Sequence, residues 1–268
     1  MKIPYSQILA LCVFQGSGVA AFTGLGSVKS AKLSTALYES AAAPTGEKAS
    51  WDLPGVSAGG PSGVVRCEGN SRKSFGFNDL SKDTIQVAMK TEGRPLDATV
   101  EVWIGPDWTP YELKCFSDDG RQFPVQTLVG TRNKEAELEL RNTAPYEMPF
   151  TVACSYAKAP LADIRKKIPQ TEEKRTVQGG GSVYSIPLPA GMKQARVFLT
   201  TDTKQLNAKV ELLNGPNNIK QAFKIFTNNG VLNSFYCVFE TPGAGNTIRI
   251  TNLAPMEFPS YAYVAPIN

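Results

Sequence analysis

The chain has 268 residues, 42% hydrophobic and 19% charged, a composition that fits one large or two modest folded domains and excludes wholesale disorder. It contains no histidine, which removes Ser-His and Cys-His nucleophile pairs, histidine metal ligands and histidine acid-base shuttles. The formal net charge is +4, but Lys2, Lys29 and Lys32 precede the first acid, Glu39; residues 39–268 therefore hold 25 basic (28 minus 3) and 24 acidic residues, a net of +1. Such a balance gives no electrostatic basis for binding nucleic acid and little repulsion against self-association.

Residues 1–21 read as a signal peptide: Lys2, the apolar run Ile8–Phe14 and the small pair Ala20-Ala21. The run is far shorter than the ~20 residues of a membrane helix, and no membrane span is expected. Residues 22–50, rich in Ser and Thr and without an acid before Glu39, have the composition of a transit peptide or flexible leader. A signal peptide followed by this segment, with Phe22 just after the cleavage site, resembles the bipartite presequence of diatoms and related algae, which implies delivery to the plastid stroma. Residues 40–62 are rich in Ala, Gly, Pro and Ser and read as a lead-in around Trp51.

An internal repeat organises the rest of the chain. Leu96-Asp-Ala-Thr-Val-Glu-Val-Trp-Ile-Gly-Pro106 matches Leu206-Asn-Ala-Lys-Val-Glu-Leu-Leu-Asn-Gly-Pro216 at an offset of 110 residues. The same offset pairs Asn142-Thr-Ala-Pro-Tyr-Glu-Met-Pro149 with Asn252-Leu-Ala-Pro-Met-Glu-Phe-Pro259, without a gap between. The units are placed at 57–157 and 177–268. The charged stretch 158–176 is read as a linker with room for a short helix before Pro169.

Alternation predicts strands at 84–91, 97–104, 111–117, 122–129, 136–141 and 150–156 of the first unit. Gly105-Pro106, Asp118-Asp119-Gly120 and Ala144-Pro145 supply turns, and the Asp-Asp-Gly and Asn-Asn-Gly segments read as hairpins with a glycine at positive φ. The expected fold is all-β: tandem duplicated sandwich-like units related by a pseudo-two-fold.

The chemistry-bearing residues point away from catalysis. Cys115, Cys154 and Cys237 align with Ile225, Val264 and Thr127, as buried strand residues would, and no C-x-x-C spacing exists. No cofactor or metal is expected. Glu101 and Glu211, and Glu147 and Glu257, recur in both units, which favours roles in the shared fold over a carboxylate pair. In the twin turn motif, Asn142, Pro145, Glu147 and Pro149, with Asn252, Pro255, Glu257 and Pro259, are assigned structural roles. Trp103 lies on the polar phase of its strand, and Trp108 and Tyr111 follow in a loop. These three, with Phe258, Tyr261 and Tyr263, are the candidate assembly interface.

The presequence, the two similar β-rich units and the twin Val-Glu-x-x-x-Gly-Pro and Asn-x-Ala-Pro-x-Glu-x-Pro strings together resemble the diatom pyrenoid shell protein family. The resemblance implies a non-enzymatic, self-assembling sheet around the pyrenoid, the Rubisco condensate. It implies a homo-oligomeric lattice, a Rubisco matrix facing one side, and support of CO2 concentration and carbon fixation. A monomeric tandem β-sandwich module that binds carbohydrate or protein is the alternative.

Overall fold

The computed structural model describes residues 64–105, 108–157 and 159–267; the signal, transit and lead-in readings lie outside these residues. The first half contains β1 (Val65–Cys67), β2 (Arg72–Phe77), β3 (Thr84–Lys90), β4 (Leu96–Trp103), β5 (Tyr111–Ser117), β6 (Val125–Gly130), β7 (Ala136–Asn142) and β8 (Phe150–Tyr156). Among the described residues one helix, α1 (Leu161–Thr171), precedes the second half. That half contains β9 (Arg175–Val177), β10 (Ser182–Pro187), β11 (Gln194–Thr200), β12 (Leu206–Asn214), β13 (Ile219–Thr227), β14 (Phe235–Glu240), β15 (Asn246–Asn252) and β16 (Ser260–Pro266).

The strands form two eight-stranded antiparallel sheets. One runs β1-β8-β3-β6-β14-β11-β16-β9 and the other β10-β15-β12-β13-β5-β4-β7-β2. Each order reads the same from both ends once residues 110 apart are equated. The halves meet where β5 pairs with β13 and β6 with β14. At these joints Lys114 faces its own counterpart Lys224, and Thr127 faces Cys237. A pseudo-two-fold axis therefore passes through both points, normal to the sheets. The two units are halves of one sandwich, with both sheets unbroken across the axis.

Strand alternation builds the core. In β4, Leu96, Ala98, Val100 and Val102 are buried while the residues between them face outward. They meet Ile85, Val87 and Met89 of β3 and Val152 of β8 from the opposite sheet, in one cluster that spans both halves. β3 and β6 depart from alternation and are buried nearly throughout. At Leu128 and Thr84 the cover is α1, which crosses the outer face of their sheet. Leu161 and Ile168 of α1 pack on Leu128, Phe198, Tyr236, Val238 and Tyr263.

The topology requires this crossing. The chain leaves β8, second from one edge, and must reach β9 at the far edge, six strand spacings or roughly 29 Å away. Thr84 Oγ1 accepts the Leu161 N–H at 2.7 Å, satisfying a donor that the N-terminal helix turn leaves free. The helix runs past the expected stop at Pro169 to Thr171. A proline in the last turn forfeits a single bond, and the Glu172 N–H still reaches the Ile168 carbonyl at 3.0 Å.

The Asp-Asp-Gly and Asn-Asn-Gly segments are not hairpins. β5 and β6 lie in opposite sheets, as do β13 and β14, so these turns carry the chain across the sandwich. Gly120 and Gly230 are absent from the positive-φ residues. They are required by close approach: a Cβ there would sit 2.6 Å and 2.5 Å from the hydroxyls of Thr91 and Thr201. The consecutive strands that pair directly are instead β4 with β5 and β12 with β13.

The outer face of the β10-to-β2 sheet, hereafter the open sheet, holds in the second half only an ion triad around one buried carboxylate. Arg249 Nε donates to Glu211 Oε2 at 2.8 Å, and Lys209 Nζ lies 2.7 Å from Oε1. The first-half counterparts are Glu101, Glu139 and Thr99. Burial alone would raise the Glu211 carboxyl, but Arg249 and Lys209 overcome it and hold the group below its ordinary value. A lowered folded-state value means stability that is present above the unfolded glutamate pKa and is lost as the pH falls. Glu211→Gln is expected to cost about 1 kcal/mol at pH 7 and to flatten the fall in melting temperature between about pH 5 and pH 3. Thermal melts of both proteins across that range check this.

Candidate assembly surface

The twin turns set the corners of the sandwich. Asn142 is fully buried; its Nδ2 donates to the Cys67 and Met148 carbonyls at 3.2 and 2.9 Å, and its Oδ1 accepts the Ala144 N–H at 3.0 Å. Asn252 repeats the arrangement on Val177, Phe258 and Ala254 at 2.9, 2.9 and 3.0 Å. Each asparagine thus ties an edge strand, β1 or β9, to the β7–β8 or β15–β16 turn. Gly69 and Gly179 complete the fit, since a Cβ on either would sit within 2 Å of a Pro145 or Pro255 carbonyl oxygen (1.9 and 1.8 Å). Glu147 takes part through its carbonyl, which accepts from Arg94 Nη1 at 2.7 Å.

This geometry lifts one side chain out of each turn. Tyr146 is 76% exposed and Met256 73%, and the two are equivalent under the 110-residue offset. The axis normal to the sheets places them at opposite corners. Sequence reading passed them over because they occupy a variable position of the motif; their apolar character in both copies was the available signal.

The six aromatic candidates do not gather into one patch. Tyr111 is fully buried in the core cluster because it shares the inward phase of Leu113 and Cys115, and it begins β5 instead of lying in a loop. Tyr263 faces outward but is buried beneath α1, with its ring 5.9 Å from that of Phe198. Trp103 is half-buried on the open sheet, paired across from Glu137, with its indole N–H unpartnered. Trp108 is partly exposed, with the Arg132 guanidinium 4.9 Å and the Lys134 ammonium 5.6 Å from its ring. Phe258 and Tyr261 lie in the second half, Phe258 near Lys204 and Tyr261 near Lys174. Phe116 and Phe226, which sequence reading did not single out, stand exposed on the open sheet on either side of the axis.

The four sheet edges differ in their capacity to pair. β1 and β9 have three residues each, too few to template a neighbour. β2 begins with Arg72 and Lys73, charges of the kind that keep edges apart. β10, Ser-Val-Tyr-Ser-Ile-Pro, carries no charge over six residues. Among the described residues it pairs on one side only, with β15. Tyr184 and Ile186 face the core, and Val183 is 58% exposed.

Glu211 is held in its triad by Arg249 and Lys209, and Glu101 lies on the open sheet opposite Glu112 and Glu139. Among the described residues no group of three or more Cys, Asp or Glu could hold a metal ion. Cys67, Cys115, Cys154 and Cys237 are free and buried, and burial pushes the Cys115 and Cys154 thiols up, away from the reactive thiolate. No helix among the described residues is long and apolar enough to cross a membrane.

Residues 60–266 match the family model of the diatom pyrenoid shell protein. The chain belongs to this family. Membership places this shell protein at the chloroplast pyrenoid and its role in the shell. No curated protein matches it in sequence. Among solved structures, the PBSX exported protein XepA is 11% identical over 75% of this chain and 84% of its own, with a TM-score of 0.26. The tandem CBM22-1–CBM22-2 domain of Paenibacillus barcinonensis Xyn10C is 14% identical over 75% and 84%, with a TM-score of 0.23. The turret protein A223 of Sulfolobus turreted icosahedral virus is 13% identical over 76% and 94%, with a TM-score of 0.21. These scores are too low to carry any function across.

The twin asparagines give a direct test of the turns. Asn142→Ala and Asn252→Ala each strand one buried and one part-buried carbonyl and a buried N–H, and each is expected to cost about 2–3 kcal/mol. Urea denaturation should report similar losses for both; a loss below about 0.5 kcal/mol for either would contradict the structural role.

Proposed function

We propose that this shell protein self-assembles, without catalysis, into the sheet that encloses the pyrenoid, and that a bipartite leader in residues 1–50 delivers it to the plastid stroma. The observation that carries this reading is the uncharged, one-sided β10 in a chain whose family is named for a shell. Unpaired backbone groups on such an edge can pair with a second copy, extending the open sheet from one molecule into the next. Antiparallel pairing of β10 with its own copy satisfies both edges at once. One such joint closes a dimer. A lattice needs a second contact that does not close, and exposed apolar residues at opposite corners, Tyr146 and Met256, suit it. Trp103, Trp108, Phe258 and Tyr261 remain candidates for the same contacts.

The near-zero net charge of residues 39–268 leaves little long-range repulsion to oppose packing. In this reading one face of the sheet meets the Rubisco matrix, and the layer supports CO2 concentration and carbon fixation as a barrier. The repeat is a duplication that gives one chain two similar sets of contacts.

Negative-stain electron microscopy of the purified protein at rising concentration tests the reading. Regular sheets or tubes are expected. Val183→Lys and Ser185→Pro, both on the exposed edge, should abolish them while lowering the melting temperature by no more than a few degrees. Uniform monomers at every concentration would overturn assembly. Intact sheets from both variants would remove β10 from it.

A further inference from the structure

The duplicated fold contains its own control, because a feature that the fold requires recurs 110 residues later. One feature that does not recur is a concavity in the first half. A cleft of about 850 Å³ opens beside β1, between the β3–β4 turn, the β5–β6 crossing and the β7–β8 turn. Its lining includes Arg66, Lys90, Arg94 and Arg121, set against the carboxylates of Glu92 and Glu147. At the equivalent positions the second half has Thr176, Thr200, Lys204 and Val231, so only Arg94 has a basic counterpart. Both carboxylates are kept, as Asp202 and Glu257.

The shape diverges with the charge. In the second half Tyr261 extends across the site, its hydroxyl donating to Asp202 and the Lys174 ammonium 4.5 Å from its ring. The first half has Thr151 at that position, lining the cleft, and Val64 in place of Lys174. The side chain that fills the second-half site is thus absent, and three cations that the fold does not demand surround the opening. Arg94 is held in place by the Glu147 carbonyl, and Arg66 Nε donates to Glu68 at 2.7 Å. Guanidinium groups fixed around a concavity match the oxygens of phosphate, and the volume falls within the range of small-molecule sites.

We propose that this cleft binds a small phosphorylated anion. Arg121 and Arg66 contact its oxygens, and Thr151 keeps the site open. The proposal is independent of assembly, since β10 and the Tyr146 and Met256 corners lie outside the lining residues.

The test is isothermal titration of the full chain with pyrophosphate at about 150 mM salt, where long-range attraction is largely screened. Saturable binding with a dissociation constant below about 1 mM is expected. Two variants copy the second half and so should preserve the fold: Arg121→Val removes a cation, and Thr151→Tyr fills the space without changing charge. Each should weaken binding at least ten-fold, whereas Lys204→Ala, in the symmetry-related site, should leave it unchanged. Melting curves of each variant confirm folding. Unchanged, wild-type affinity in both Arg121→Val and Thr151→Tyr, no saturation up to about 10 mM pyrophosphate, or binding of a poly-glutamate peptide without binding of pyrophosphate would overturn the proposal.

Discussion

The architecture depends on one contact, the pairing of β5 with β13 along the pseudo-two-fold axis. Seven residue pairs join the halves there, from Gln221 with Ser117 to Thr227 with Tyr111. The corresponding β6–β14 joint has two. Each half alone would be a four-on-four sandwich with two further edges open to water, and a small sandwich buries too little surface for comfort. Edge-to-edge fusion removes those edges and merges two cores into one. It has a local cost: Lys114 and Lys224 are brought opposite each other, a like-charge pair that disfavours the ladder. Their exposure on the open sheet lets water screen them. Beneath, Phe223 packs on Phe235 and Phe239 at 5.6 and 5.4 Å, a fully buried aromatic cluster that outweighs the repulsion.

The same fusion breaks the symmetry that it creates. A single chain cannot be two-fold symmetric at its connection, and the link from β8 to β9 must cross a sheet. α1 does this on one face, anchored by Arg165 to the Val231 carbonyl at 2.6 Å. Among the described residues, therefore, one face is covered by a helix and the other consists of strands alone. A component of a shell separates an inside from an outside, and two unlike faces are a physical basis for doing so.

Duplication also frees residues. Where both halves keep the same side chain, as with Asn142 and Asn252, the cause is a set of buried hydrogen bonds that neither turn can lose. Where they differ, the shared architecture does not require one particular side chain. The Glu211 triad, the uncharged β10 against the basic β2, and the open cleft beside Thr151 are all differences of this kind. They mark the places where one half has acquired something the other lacks.

The sequence by itself determined most strands, the equivalence of residues 110 apart, and the asparagine turns. These are local: period-two alternation and a spaced Asn-x-Ala-Pro-x-Glu-x-Pro string act within a few residues. It missed β1 and β2, whose short, mixed patterns are set by the neighbours they pair with. Only the tertiary structure decided that the halves share both sheets, that Tyr111 is core and that Tyr263 is covered. A strand pattern states which side chains share a face but not which strand lies alongside or what covers that face. Edge pairing and the path of α1 are non-local, fixed by the total apolar surface that can be removed from water, and the candidate site is what that packing leaves exposed.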